Sequence, residues 1–219
     1  MDAEKKLMPK RIFDIIKDQN IVEFRPSQKK SIAAGLFQKK NLLVCTPTAS
    51  GKTLVGELAI LNAVLEKHSK AIYIVPLKAL ASEKYKEFKK KYADKFQIAL
   101  SIGDLDASDS HLAKYDLIIC TSEKLDSLIR HRTPWIKEVG VVVIDEIHLL
   151  NEPRRGPTLE ILITLLKQLI VGLQIVGLSA TIGNEQELAD WLEAKLVHDT
   201  WRPVTLSKGV FYNNKIEFD

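Results

Sequence analysis

Six short apolar runs, most of them rich in β-branched residues, recur along the 219 residues of this chain: Leu42–Cys45, Ala71–Val75, Ile98–Ser101, Leu117–Cys120, Val141–Ile144 and Ile175–Leu178. Segments of helical periodicity lie between most of them, at about 52–67, 78–92, 122–131, 158–170 and 185–194. No other feature limits the fold as strongly. A strand that is apolar at nearly every position has no face to give to water, so both faces must be covered. A helix between consecutive strands carries the chain back for parallel pairing. The expected fold class is therefore α/β, a mostly parallel sheet with helices on both faces. In such sheets ligands bind at the carboxyl ends of the strands, and the polar motifs of this chain stand there.

The first motif follows Leu42–Cys45. The apolar run gives way to Thr46-Pro47-Thr48-Ala49-Ser50-Gly51-Lys52-Thr53, after which Leu54, Leu58, Leu61 and Leu65 recur at helical spacing. Strand, loop and helix in that order place unpaired backbone N–H groups and the positive end of a helix dipole at one point, which favours an anion. Gly51 lets the main chain approach phosphate oxygens. Lys52 supplies an ammonium for β- and γ-phosphates, and Thr53 a hydroxyl for Mg²⁺. Thr48, Ala49 and Ser50 complete the cradle. Thr46 stands where such loops usually carry their first glycine, and Gly-Lys-Thr alone is also compatible with an ordinary turn.

Two further strand ends support the nucleotide reading. Val141–Ile144 runs into Asp145-Glu146-Ile147-His148. Asp145 can hold Mg²⁺ opposite Thr53, Glu146 can orient or deprotonate a water, and His148 can relay the phosphate state to a neighbouring loop. Ile175–Leu178 runs into Ser179-Ala180-Thr181, whose hydroxyls can reach His148 or Asp145 and couple hydrolysis to movement. Upstream, Phe24-Arg25-Pro26-Ser27-Gln28 opens a helix expected to reach about Phe37. The Gln28 amide offers a donor and an acceptor to the edge of adenine. Residues 1–20 read as a polar lead-in with a short amphipathic helix carrying Ile12, Phe13, Ile15 and Ile16.

Composition narrows the class. No apolar run approaches the roughly 20 residues of a membrane span, and the N-terminus lacks a signal-peptide core, so a cytoplasmic protein without a membrane partner is expected. Cys45 and Cys120 each end a strand-like run without a Cys or His at ligand spacing, and read as reduced core thiols. The net charge of +4 permits a polyanionic partner without requiring one. Lys39-Lys40 and Lys89-Lys90-Lys91 read as solvated surface.

Taken in order, Gln28 in its Phe-Arg-Pro-Ser-Gln context, Thr46–Thr53, Asp145–His148 and Ser179–Thr181 resemble the motifs of superfamily-two helicases. Arg154-Arg155-Gly156-Pro157-Thr158-Leu159-Glu160 is similar to the Ski-like branch. The Thr-Pro-Thr-Ala-Ser-Gly-Lys-Thr loop, Ser101–Asp104 and Trp201-Arg202-Pro203-Val204 look most like its archaeal Hjm-type DNA helicases. The resemblance runs from about residue 20 to 210. It implies a RecA-like P-loop NTPase domain over 21–203, after the lead-in and before a C-terminal extension at 204–219, where a hairpin about Asn213-Asn214 is expected.

The resemblance also implies that ATP and Mg²⁺ are cofactors and that Lys52, Asp145, Glu146 and His148 are catalytic. Pro76, Leu77, Lys78, Ala79 and Thr121 would grip a nucleic-acid backbone. Members of this family move 3′ to 5′ on single-stranded DNA and act at stalled forks. They carry a second RecA-like domain whose arginines reach the γ-phosphate, and nothing here corresponds to it. Half of a motor is therefore expected, either an excised domain or one subunit of a split enzyme, completed in cis or in trans and weakly active or inactive alone. Two other readings stay open: half of a Ski-like RNA helicase, and a non-catalytic ATP-binding module. Glu146 speaks against the second.

Overall fold

The computed structural model describes residues 2–103, 110–204, 207, 209–213 and 215–218. Its centre is a sheet of seven strands: β1 Leu42–Cys45, β2 Lys70–Val75, β3 Ile98–Ser101, β4 Leu117–Thr121, β5 Val139–Ile144, β6 Gln174–Ser179 and β7 Lys195–His198. They lie in the order β3-β4-β2-β5-β6-β1-β7, and every pair is parallel. The helices are α1 Asp2–Lys5, α2 Lys10–Asp18, α3 Pro26–Ala33, α4 Lys52–Leu61, α5 Lys78–Tyr92, α6 Ser122–Arg130, α7 Gly156–Leu169 and α8 Glu185–Leu192. A separate antiparallel hairpin joins β8 Gly209–Tyr212 to β9 Lys215–Phe218. Asn213 lies in its turn. Asn214, like Asp104 of the Ser101–Asp104 motif, lies outside the described residues.

The period-two alternation of strands sorts the core into two layers. Leu42, Val44, Tyr73, Val141 and Val143 face one way, with α2, α3, α4 and α5. Leu43, Cys45, Ile72, Val142 and Ile144 face the other, with α6, α7 and α8. In the expected lead-in, α2 buries Ile12, Ile15 and Ile16 in the first layer. A buried carboxylate ties two helices of that layer: Glu57 of α4 accepts from Lys91 Nζ at 2.8 Å and from the Tyr92 hydroxyl, both on α5.

Three expectations required adjustment. The helix after the phosphate loop changes at Leu61 into a wider π turn, Asn62–Glu66. The helix from Pro26 stops at Ala33, because Gly35 adopts φ 107, and resumes as a 3-10 turn at Leu36–Gln38. The seventh strand, β7, is not among the six expected apolar runs, and the helix expected over 185–194 ends two residues earlier, at Leu192. Glu193 at φ 53 ends α8 and frees the chain to pair with β1.

Candidate functional site

The strand order determines which motifs meet. β5, β6 and β1 are neighbours, so the acidic pair, Ser-Ala-Thr and the phosphate loop leave the same sheet side by side. β2 and β4 are also neighbours, on the other side of β5. The expected backbone-gripping residues Pro76–Ala79 and Thr121 therefore leave the sheet together, next to the acidic pair.

The phosphate loop is held by its own polar groups. Thr46 N–H donates to Ser179 O at 3.2 Å, which fastens the loop to β6. The Thr46 and Ser50 hydroxyls lie 2.6 Å apart. Ala49 at φ 66 and Gly51 at φ 91 are both left-handed, a turn that gathers successive N–H groups into a concavity. For Ala49 such a conformation costs on the order of 1–2 kcal/mol, and strain of this kind persists only where the surroundings enforce it. No side chain caps the N-terminus of α4. Lys52 is buried there, with Nζ donating to Thr46 O at 3.1 Å. Thr53 is half-buried, and Thr48 and Ala49 are exposed.

Gln28 is 4% exposed and spans two elements. Its Nε2 donates to Gly51 O at 3.0 Å and its Oε1 accepts Arg25 N–H at 2.8 Å. The amide thus ties the start of α3 to the phosphate loop and keeps one donor and one acceptor position for a ligand. Sequence reasoning missed Arg25. Its guanidinium donates to Ala49 O at 2.6 Å and lies over the Trp201 ring, 5.4 Å from the centroid. Two stretches that carried the resemblance, Phe24–Gln28 and Trp201–Val204, therefore meet at the loop. Trp201 is anchored in turn, since its N–H donates to Asp199 Oδ1 at 2.7 Å while Lys30 Nζ pairs with Asp199 Oδ2 at 2.8 Å.

The acidic pair continues β5. Asp145 N–H donates to Ile74 O at 2.9 Å, extending the ladder to β2. By alternation the Asp145 side chain falls on the face of Val141 and Val143, which is also the face of α4. Its Oδ1 accepts Glu146 N–H at 3.1 Å, and its Oδ2 accepts the Tyr73 hydroxyl at 2.8 Å. Burial, and then the Asp145 charge, push the Tyr73 phenol well above its ordinary value, so it is protonated and donates. Sequence reasoning missed Tyr73 too, because within an apolar run it reads as core. Glu146 adopts φ 52, followed by a 3-10 turn at Ile147–Asn151. This left-handed residue turns the chain sharply and leaves Glu146 half-exposed beside Asp145.

The structure does not form the expected hydrogen bonds from Ser179 and Thr181 to His148 or Asp145. Ser179 is fully buried and its Oγ has no hydrogen-bond partner. His148 Nδ1 lies 3.4 Å from Glu146 Oε2 without forming a hydrogen bond. Thr181 is exposed. Pro76 is half-buried, while Leu77, Lys78 and Ala79 are exposed. Thr121 is buried, and its Oγ1 accepts Lys124 N–H at 3.4 Å as the N-cap of α6. The Thr121 hydroxyl therefore serves a helix terminus and is not presented to solvent.

These groups suit a magnesium nucleotide. An uncapped helix N-terminus with a buried lysine favours phosphate. The Thr53 hydroxyl and Asp145 carboxylate are the hard oxygen donors Mg²⁺ takes. The orphaned His148 Nδ1 is a polar atom a ligand or its waters would satisfy. Among the described residues no helix is long and apolar enough to cross a membrane.

Comparison with known proteins agrees with this geometry. A family model described as DEAD/DEAH box helicase matches residues 25–189. The chain is 59% identical over 215 residues to a protein of Methanocaldococcus jannaschii named ATP-dependent DNA helicase Hel308, a match that covers 95% of this chain and 18% of that protein. A protein of the same name from Methanococcus vannielii is 53% identical over 214 residues, covering 94% of this chain and 28% of the relative. The chain thus spans less than a third of the length of either relative. Its fold is RecA-like. It superimposes on the crystal structure of the DUF1998 helicase MrfA bound to DNA and AMPPNP with a TM-score of 0.73, over 89% of this chain and 29% of that one, at 24% identity. Matched across the phosphate loop, the acidic pair and Ser-Ala-Thr, the chain belongs to the DEAD/DEAH box helicase family.

Proposed function

We propose that this chain is the first motor domain of an ATP-dependent DNA helicase that acts in the cytoplasm. The observation that carries the proposal is the adjacency of β5, β6 and β1, which brings Lys52 and Thr53 to the same sheet edge as Asp145 and Glu146. When bound, Mg-ATP supplies the phosphoanhydride to be cleaved and a cation that offsets charge developing on its oxygens. Lys52 and the α4 amides hold the β- and γ-phosphates. Thr53 and Asp145 hold the cation, and Gln28 reads the base. Glu146 orients the attacking water and takes its proton. His148, Ser179 and Thr181 pass the nucleotide state to the neighbouring strand ends, with Thr181 rearranging to do so.

Beyond Pro76, which has no N–H of its own, Leu77, Lys78 and Ala79 are exposed beside the acidic pair, and their backbone N–H groups suit phosphates without reading bases. Thr121 contributes by fixing the start of α6. The names of the relatives favour DNA over RNA as the polymer. A second RecA-like domain supplies arginines to the γ-phosphate, a contribution of about 10³–10⁵ in rate. The isolated chain is then a weak ATPase that binds single strands in a salt-sensitive way.

The test is steady-state ATPase with and without single-stranded DNA, alongside nucleotide binding. Glu146→Gln is expected to keep ADP and ATP binding and to lose all turnover, and Lys52→Ala to weaken ATP binding. Unchanged turnover in Glu146→Gln, or unchanged ATP affinity in Lys52→Ala, would overturn the assignment. Competition by a ribose-containing strand of the same sequence decides between DNA and RNA.

A further inference from the structure

We propose that Tyr73 is a positioning residue for the Asp145 carboxylate and so sets the affinity of the site for Mg²⁺. The inference rests on the reading of Asp145 as the cation's carboxylate.

Tyr73 lies in the middle of β2, opposite Val143 of β5 in the parallel register. Side chains two residues apart share a face, so Tyr73 and Asp145 lie on the same side of the sheet, beneath α4. The ring is fully buried and packs against Phe88 of α5, with centroids 5.4 Å apart. The helix above makes room for it. At Gly56 of α4, a Cβ would stand 3.4 Å from Tyr73 Cε2 and 2.8 Å from Val143 Cγ1. The phosphate-loop helix therefore approaches the sheet closely over Tyr73 and Val143.

The hydroxyl emerges from this packing at Asp145 Oδ2, 2.8 Å away. The Asp145 amide is already tied to Ile74 O. β2 thus holds this one residue by main chain and side chain together. The Glu146 amide holds Oδ1. Each carboxylate oxygen keeps a second lone pair for a cation or its waters. A tyrosine here costs more to bury than phenylalanine, which would fill the same space without needing a polar partner. The hydroxyl earns its place through the carboxylate. Donors behind a metal-binding carboxylate fix its rotamer, and losing one typically costs about 10–100-fold in metal affinity or activity.

Tyr73→Phe tests this in the 219-residue chain. ADP binding is measured by calorimetry in EDTA and across a Mg²⁺ series, with Asp145→Asn alongside and thermal melting of each protein in parallel. The expected result is unchanged ADP affinity in EDTA and a Mg²⁺ half-saturation raised about tenfold or more. An unchanged Mg²⁺ half-saturation, in a series where Asp145→Asn loses its Mg²⁺ dependence, overturns the inference and leaves Asp145 in its role. An equal loss of ADP affinity with and without Mg²⁺ assigns Tyr73 to packing alone and also overturns it. Retained Mg²⁺ dependence in Asp145→Asn removes the reading on which the inference rests.

Discussion

Gly156→Ala should destabilise the domain, although helix propensity alone points the other way. Gly156 is the buried first residue of α7, in the Arg154–Glu160 stretch. An alanine in a helix is ordinarily favoured over glycine by about 0.5–1 kcal/mol. Here, however, a Cβ would stand 2.0 Å from Leu150 O and 2.8 Å from Leu150 C. Carbon atoms pack at about 3.5–4.0 Å, so one backbone must retreat by roughly 1 Å or more. Because the obstacle is main chain, no rotamer change relieves it. Overpacking costs about 1–3 kcal/mol; with main chain as the obstacle the upper part of that range applies, which exceeds the propensity gain and leaves a net loss of about 1–2 kcal/mol. At this chain length that lowers the melting temperature by about 2–8 °C. Leu150 belongs to the turn that follows Glu146 directly, and a 1 Å shift near reacting groups can cost about 100-fold in rate. Scanning calorimetry of Gly156→Ala beside wild type decides the matter. A variant that melts at or above wild type would refute the packing of α7 against the Glu146 turn.

Two other perturbations probe buried polar groups. Lys91→Met removes the ammonium from Glu57, which is 2% exposed and keeps the Tyr92 hydroxyl as its partner. A loss of about 1–3 kcal/mol is expected, read as a lower urea midpoint with an unchanged m-value, and the double variant Glu57→Gln, Lys91→Met should recover part of it. Burial pushes the Cys45 and Cys120 thiols up from 9.0 to about 12. Both should resist a thiolate-specific reagent at pH 8 until denaturant is added. Because the folded values are raised, the stability the neutral thiols contribute is complete below pH 9.0 and declines as the unfolded thiols ionise between there and about 12; a melting series across that range should show the fall, and prompt labelling of the native chain at pH 8 would contradict the burial.

The parts of this molecule that could be read from sequence are those whose signal is local. Leu42–Cys45 and Ile98–Ser101 form strands with the expected ends, because an unbroken apolar run between polar turns has one economical burial, inside a sheet covered on both faces. β7 escaped for the converse reason. It is one of the two edge strands, and only Val197 of its four residues is buried, so it lacks the continuous apolar run that marks the other strands. The site divides in the same way. Lys52, Thr53, Asp145 and Glu146 sit in contiguous motifs whose backbone setting is dictated by their neighbours. Tyr73 and Arg25 act on residues 72 and 24 positions away in sequence, and only the register of β2 against β5 and the docking of α3 on the phosphate loop create those contacts. Thr121 shows the limit of motif reading within a correctly placed strand end. The sequence locates its hydroxyl at the carboxyl edge, but whether that oxygen faces a ligand or caps α6 depends on the φ and ψ at which the helix begins, here −90° and 164°. Position along the sheet edge was therefore legible, and the partner of each side chain at that edge was not.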